Sequence, residues 1–138
     1  MKKLLNASLT YFIFAMIGGV FYREFIKYLG FNGKTTLSLL HVHLLVLGTL
    51  LFLLLTIMNK ISDMKLEQEN TFKKFYILHN IALPFMMIML TIRGVVQVLA
   101  IDLSSAQNAM ISGFAGISHI LITISIVMMF SSLKKTFI

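Results

Sequence analysis

Apolar runs of about 20 residues, the length that crosses a bilayer as an α-helix, recur four times along the chain. They cover residues 6–28, 36–58, 74–99 and 109–133. The breaks between them read "GFNGK", "NKISDMKLEQENTFKK" and "AIDLSSAQN". The first and third breaks are short, so neighbouring helices should pack antiparallel. No repeat or low-complexity tract divides the chain. The pattern predicts a single all-α domain over residues 1–138, an integral membrane four-helix up-down-up-down bundle.

Composition agrees. Of 138 residues, 58% are hydrophobic and 12% charged, and mean hydropathy is +0.90, too apolar for a soluble core to hide. The N-terminal "MKKLLNASLTYFIFAMIGGVFYREF" starts like a secretory signal. Its apolar run is too long for one and no small-x-small cleavage site precedes "YREF", so it reads as a retained first span. The formal charge of +7 could suggest nucleic acid, but in a membrane chain lysines report topology first, and no nucleic-acid partner is expected. Lys2, Lys3, Lys60, Lys65, Lys73, Lys74, Lys134 and Lys135 fall on one side of the four spans; only Lys27 and Lys34 flank the other. The positive-inside rule then places both termini and the middle loop in the cytoplasm of a multi-pass protein of the bacterial cell membrane. There is no cysteine, which excludes disulfides and thiolate metal sites.

With that orientation, the ionisable residues inside the spans sort by depth. His41 and His43 lie about 8 and 11 Å below the outer end of the second helix, and His119 about 15 Å below that of the fourth. Arg93 is about 9 Å from the outer end of the third helix and Arg23 about 8 Å from that of the first. Each is expensive in lipid and should face the bundle interior or a wet cavity with a partner. On the third helix, His79, Met86, Leu90, Arg93 and Gln97 share one face. On the fourth, Ser112, Ala115, Gly116 and His119 line another, which serves either close helix packing or space for a flat ligand.

Imidazole is a standard axial ligand of haem iron. The chain offers His43 or His41, His119, a small-residue slot that includes Gly116, and Arg23 with Arg93 for two propionates. His41 and His43 point about 200° apart and cannot bind one iron together. The other ring would serve a second haem, a partner subunit or a hydrogen bond, and Gly48, on the face of His41, leaves room there. His79 sits near the cytoplasmic end and reads as interfacial or structural, with Pro84 kinking its helix. The methionines are mostly packing, with Met86 or Met89 a further ligand option.

"YREF", "LHVHLLVLG", "RGVVQVL" and "GFAGISHILI" together resemble a family of small four-helix bacterial integral membrane proteins of uncharacterised activity, over nearly the whole chain. That resemblance implies the fold. The H-x-H of "LHVHLL" is also distantly similar to the helix of haem–copper oxidase catalytic subunits whose two histidines bind two different haems. It implies that His41 and His43 would each ligate one. Neither an adjacent His-His pair nor a His-Pro-Glu-Val-Tyr stretch is present, so oxygen reduction is not implied.

The expectation is a haem-b protein, with one or two haems per chain or dimer, for electron transfer, gas binding or haem handling. Its partners would be the lipid bilayer, haem, a quinone or another redox membrane protein, and a second copy in a homo-oligomer. The alternatives are a small metal-ion or anion transporter and a structural accessory subunit. Few carboxylates in the spans and two intramembrane arginines speak against a cation path. Hydrolysis is not expected: Ser118 and His119 are adjacent and diverge by about 100°, with no acidic group to orient them.

Overall fold

A computed structural model describes residues 1–138. It is all-helical, with five elements: α1 (Lys2–Tyr28), α2 (Thr36–Ile61), the short α3 (Lys65–Gln68), α4 (Asn70–Val98) and α5 (Ser105–Phe137). The four long helices are long and apolar enough to cross a membrane, which fits a multi-pass membrane protein in a lipid environment. At the lysine-rich end each helix extends three or four residues beyond the apolar run that predicts it; at the other end α1 and α2 stop where expected, α4 ends one residue early at Val98 and α5 starts four residues early at Ser105. α4 starts at the Glu69 cap, whose carboxylate accepts the Phe72 amide N–H at 2.8 Å. α5 starts at a reciprocal Ser104–Gln107 capping box. α1 ends where Gly30, at a φ of 62°, turns the chain. The short α3 was not expected from the sequence; Asp63 and Met64, both left-handed, turn the chain into it.

Contacts at the two ends tie the helices together. At one end the Met1 amine meets Glu67, while Lys135 reaches Thr71 at 2.8 Å and Glu69 at 3.6 Å. At the other, the Thr36 amide donates to the Gln97 side chain at 2.8 Å, and Arg93 binds Asn108. Along the middle, α1 packs on α2, α2 on α4, and α4 on α5.

The core follows the helical period. Leu4, Ala7, Tyr11 and Ala15 form the buried stripe of α1; Leu37, Leu40, Leu44, Phe52 and Leu55 form that of α2. The stripe of α5 is Ser118, Ile122, Ser125, Met129 and Ser132. Three serines at a seven-residue interval let α5 approach α4 closely, the small-residue packing expected between helices in lipid. The Ser112, Ala115, Gly116 and His119 face, for which the sequence left close packing and ligand space both open, is largely exposed.

α2 is not uniform. Residues Leu44–Leu50 are π-helical, and the wider turn brings backbone carbonyls out to side chains on both neighbours. Thr49 O accepts from the Ser8 hydroxyl of α1 at 2.8 Å, and Leu47 O from the His79 ring of α4 at 2.9 Å. Gly48 sits in this segment against Tyr11. A Cβ there would lie 2.5 Å from the Tyr11 Cβ, so only glycine lets α1 come this close.

Candidate functional site

The histidines fall into two kinds. His79 is completely buried where α2, α4 and α5 meet. Its Nε2–H donates to Leu47 O, and Nδ1 lies 2.9 Å from the Ser125 hydroxyl, which also bonds Ile122 O at 2.8 Å. Phe52 and Phe75 pack on the ring, with centroids 5.5 and 5.2 Å from it. Both nitrogens have partners, so this imidazole has no free lone pair for a metal. The sequence reads it as interfacial or structural; its neighbours bury it fully and bond both ring nitrogens, as a structural role requires. A histidine beside a π segment leaves no local pattern by which to find this role.

His43 and His119 are different. Each lies 2.8 Å by Nδ1 from the carbonyl four residues earlier, Leu39 O and Ala115 O respectively. A carbonyl only accepts, so Nδ1 carries the proton. Nε2 of the neutral ring is then a lone pair held in a fixed direction. A backbone carbonyl on the other nitrogen is how metal-ligating imidazoles are commonly oriented. The depth of the two rings can be compared from a shared level, because His79 bonds both Leu47 of α2 and Ser125 of α5. His43 is four residues from Leu47 and His119 six from Ser125, both toward the Thr36 end of the molecule: about 6 and 9 Å. They lie within about one turn of each other in depth.

The remaining candidates separate. Arg93 is half-buried and reaches α5, with Nη1 2.7 Å from Asn108 Oδ1 and Nη2 2.7 Å from Ser112 Oγ. Its hydrogen-bond partners are neutral. Ser112, Gly116 and His119 continue down the same side of α5, and a Cβ on Gly116 would meet nothing within 4 Å. The structure therefore brings Arg93, Ser112, Gly116 and His119 onto one open face. His119 was expected to point into the bundle. It points out, because the stripe of α5 turned inward is Ser118, Ile122, Ser125, Met129 and Ser132, and His119 lies about 100° off it. The face of α4 from His79 to Gln97 is as expected, flanked by α2 through Gln97 and by α5 through Arg93.

His41 turns to α1: a Cβ on Gly19 would lie 3.5 Å from the His41 Cβ, and His41 Nδ1 is buried without a partner. The divergence of His41 from His43 is thus real, and the first ring packs between helices. The space at Gly48 is taken by Tyr11. Arg23 is 79% exposed and pairs loosely with Glu24 at 3.7 Å, away from the other candidates. No group of three or more His, Asp or Glu side chains is placed to hold a metal ion between them. The three principal cavities are lined by other residues.

Against known proteins, the chain matches over residues 1–136 the family described as "Protein of unknown function (DUF2871)". It belongs to that family. Among curated proteins and among solved structures, nothing matches it. The reading of four membrane-length helices therefore rests on the chain itself, and so does any reading of the histidines.

Proposed function

We propose that this chain is a haem-b-binding protein of the bacterial cell membrane that uses His43 and His119 as axial ligands. The observation carrying the reading is the shared geometry of the two rings. Both have Nδ1 tied to their own helix and Nε2 free, at nearly one depth on α2 and α5. Axial ligation needs two such nitrogens and no third, so the lack of a three-ligand cluster is no obstacle. Arg93, a cation with neutral partners, has fork donors suited to a propionate carboxylate. Attachment would be non-covalent, since no cysteine is available.

The topology that goes with it is up-down-up-down, with both termini and the 59–74 loop cytoplasmic. Eight lysines at that end support it by the positive-inside rule. A reporter fused at residue 138 should be active inside and one at residue 32 outside. The reverse result would put the histidines in the inner half of the bilayer. The open face at Gly116 and His119 supports a homo-oligomer in which a second copy covers it.

Bound there, the iron would supply one-electron redox chemistry. If His43 and His119 both held the iron, electron transfer, with a quinone or another redox protein as partner, would be favoured over gas binding. The chain's own part is to hold two imidazoles in fixed tautomers and to set a cation above them. Protein purified in detergent from haem-replete cells should show a Soret band, with sharp α and β bands on reduction. His43→Ala and His119→Ala should each strip most of the haem. Colourless protein that takes up no added hemin would end this reading.

A further inference from the structure

A cavity of about 940 Å³ runs between α1 and α4, at the upper end of the range of small-molecule sites, and none of the four histidines lines it. Its floor is α2, with Leu40 and Leu44 at the outer part; further in, the Tyr11 hydroxyl donates to Asn80 Oδ1 at 2.9 Å and ties the two walls together. Its wall along α1 runs from Lys3 to Phe21, about 27 Å, and along α4 from Tyr76 to Thr91, about 22 Å. At the lysine end it continues into a second cavity of about 440 Å³, with Lys3 and Tyr76 lining both. Three lysines, Lys2, Lys3 and Lys73, line this vestibule against one carboxylate, Glu67, which the Met1 amine already engages. Lys3 Nζ stands 4.1 Å above the Tyr76 ring.

Polarity is graded along the groove. The first part, from Lys3 to Asn80, is lined by lysine, asparagine, threonine and tyrosine; beyond it the lining is Phe14, Ile17, Phe21, Met87 and Ile88 with few polar groups. Pro84 sharpens the grading, because it gives no N–H to the Asn80 carbonyl and so leaves one more acceptor at the end of the polar part. We propose that the groove is a binding site for one anionic glycerophospholipid of the leaflet at the lysine end. The vestibule lysines take the phosphate, the Asn6, Thr10 and Tyr76 donors face the glycerol ester carbonyls, and the acyl chains lie along the apolar part. The length agrees. Half a bilayer with its headgroups is about 20–22 Å, close to the groove's wall along α4. The sign agrees too, since the cytoplasmic leaflet, where the lysine rule puts this end, carries the anionic lipids. The inference does not depend on haem.

The test uses full-length protein in nanodiscs of phosphatidylcholine, with or without 20 mol% phosphatidylglycerol, and measures both Tm and the lipid retained through detergent purification. Phosphatidylglycerol should raise Tm and be retained in preference to phosphatidylcholine. Lys3→Gln with Lys73→Gln should lower its retention about fivefold per lysine, the effect of one cation near an anionic headgroup. Lys60→Gln with Lys134→Gln removes the same charge outside the vestibule and should leave retention unchanged. Thr10→Trp, which fills the groove at constant charge, should lower it. Equal retention of the two lipids overturns the proposal. So do equal losses in the two lysine pairs, which would mean surface attraction alone, and an isoprenoid quinone recovered in place of phospholipid.

Discussion

His79 and His119 are the same side chain in the same kind of apolar helix, yet their surroundings make them opposites. His79 is held at both nitrogens, enclosed by aromatic rings and completely buried. His119 is held at one nitrogen by its own helix and is exposed, beside a glycine with empty space around it. The first imidazole is part of the packing; the second is presented by it. A polar group in lipid needs a partner, and the fold supplies one to His79 from two other helices. For His119 the chain supplies one partner only, Ala115 O at Nδ1.

The comparison is sharpest in stability. His79→Ala opens a cavity and leaves Leu47 O without a donor, and should cost about 3–5 kcal/mol. In protein free of haem, His119→Ala should stay within about 0.5 kcal/mol of wild type, as an exposed site does. Unfolding in mixed micelles measures both; equal losses would break the contrast.

Glycines give the next contrast. Gly48→Ala sets a Cβ 2.5 Å from the Tyr11 ring and should cost about 1–3 kcal/mol. Gly116→Ala meets no neighbour and should stabilise the apo helix by up to about 1 kcal/mol. If it also lowers haem content, the cofactor lies against that face.

Arg93→Leu should lower stability by about 1 kcal/mol, from hydrogen bonds to Asn108 and Ser112, and should lower haem retention by more than that loss explains. Retention that follows stability alone would remove the guanidinium from the proposed site.

A contrast in pH dependence lies at the other end of the molecule. Burial alone would raise the Glu69 carboxyl, but amide hydrogen bonds from Thr71 and Phe72 at the start of α4 outweigh it and hold the group near 2, below its ordinary 4.5. A depressed carboxyl stabilises the fold above its unfolded value, so stability should fall as pH drops from about 4.5 to 2. Glu69→Gln should flatten that part of the profile while leaving the histidine contrast untouched.

Much of this protein was legible without coordinates. Four apolar runs of membrane length, separated by polar breaks, fix four long helices, because period and length are local properties. The common depth of His43 and His119 followed from rise per residue alone, and the shared face on α4 from its angular period. Direction round the axis was not legible on α5. The small residues Ser112 to Gly116 and the serines Ser118, Ser125 and Ser132 are equally good packing stripes on paper. Which one faces α4 depends on how closely the two helices fit along their whole length, a sum over contacts that no local window contains. The π-helical turn at Leu44–Leu50 is likewise a tertiary result: its loosened carbonyls are tolerable only because Ser8 and His79 arrive from two other helices to bond them. The sequence determined what each helix carries and at what depth. The tertiary structure decided which histidine is enclosed and which is offered outward, because a buried hydrogen bond exists only when both partners are brought to it.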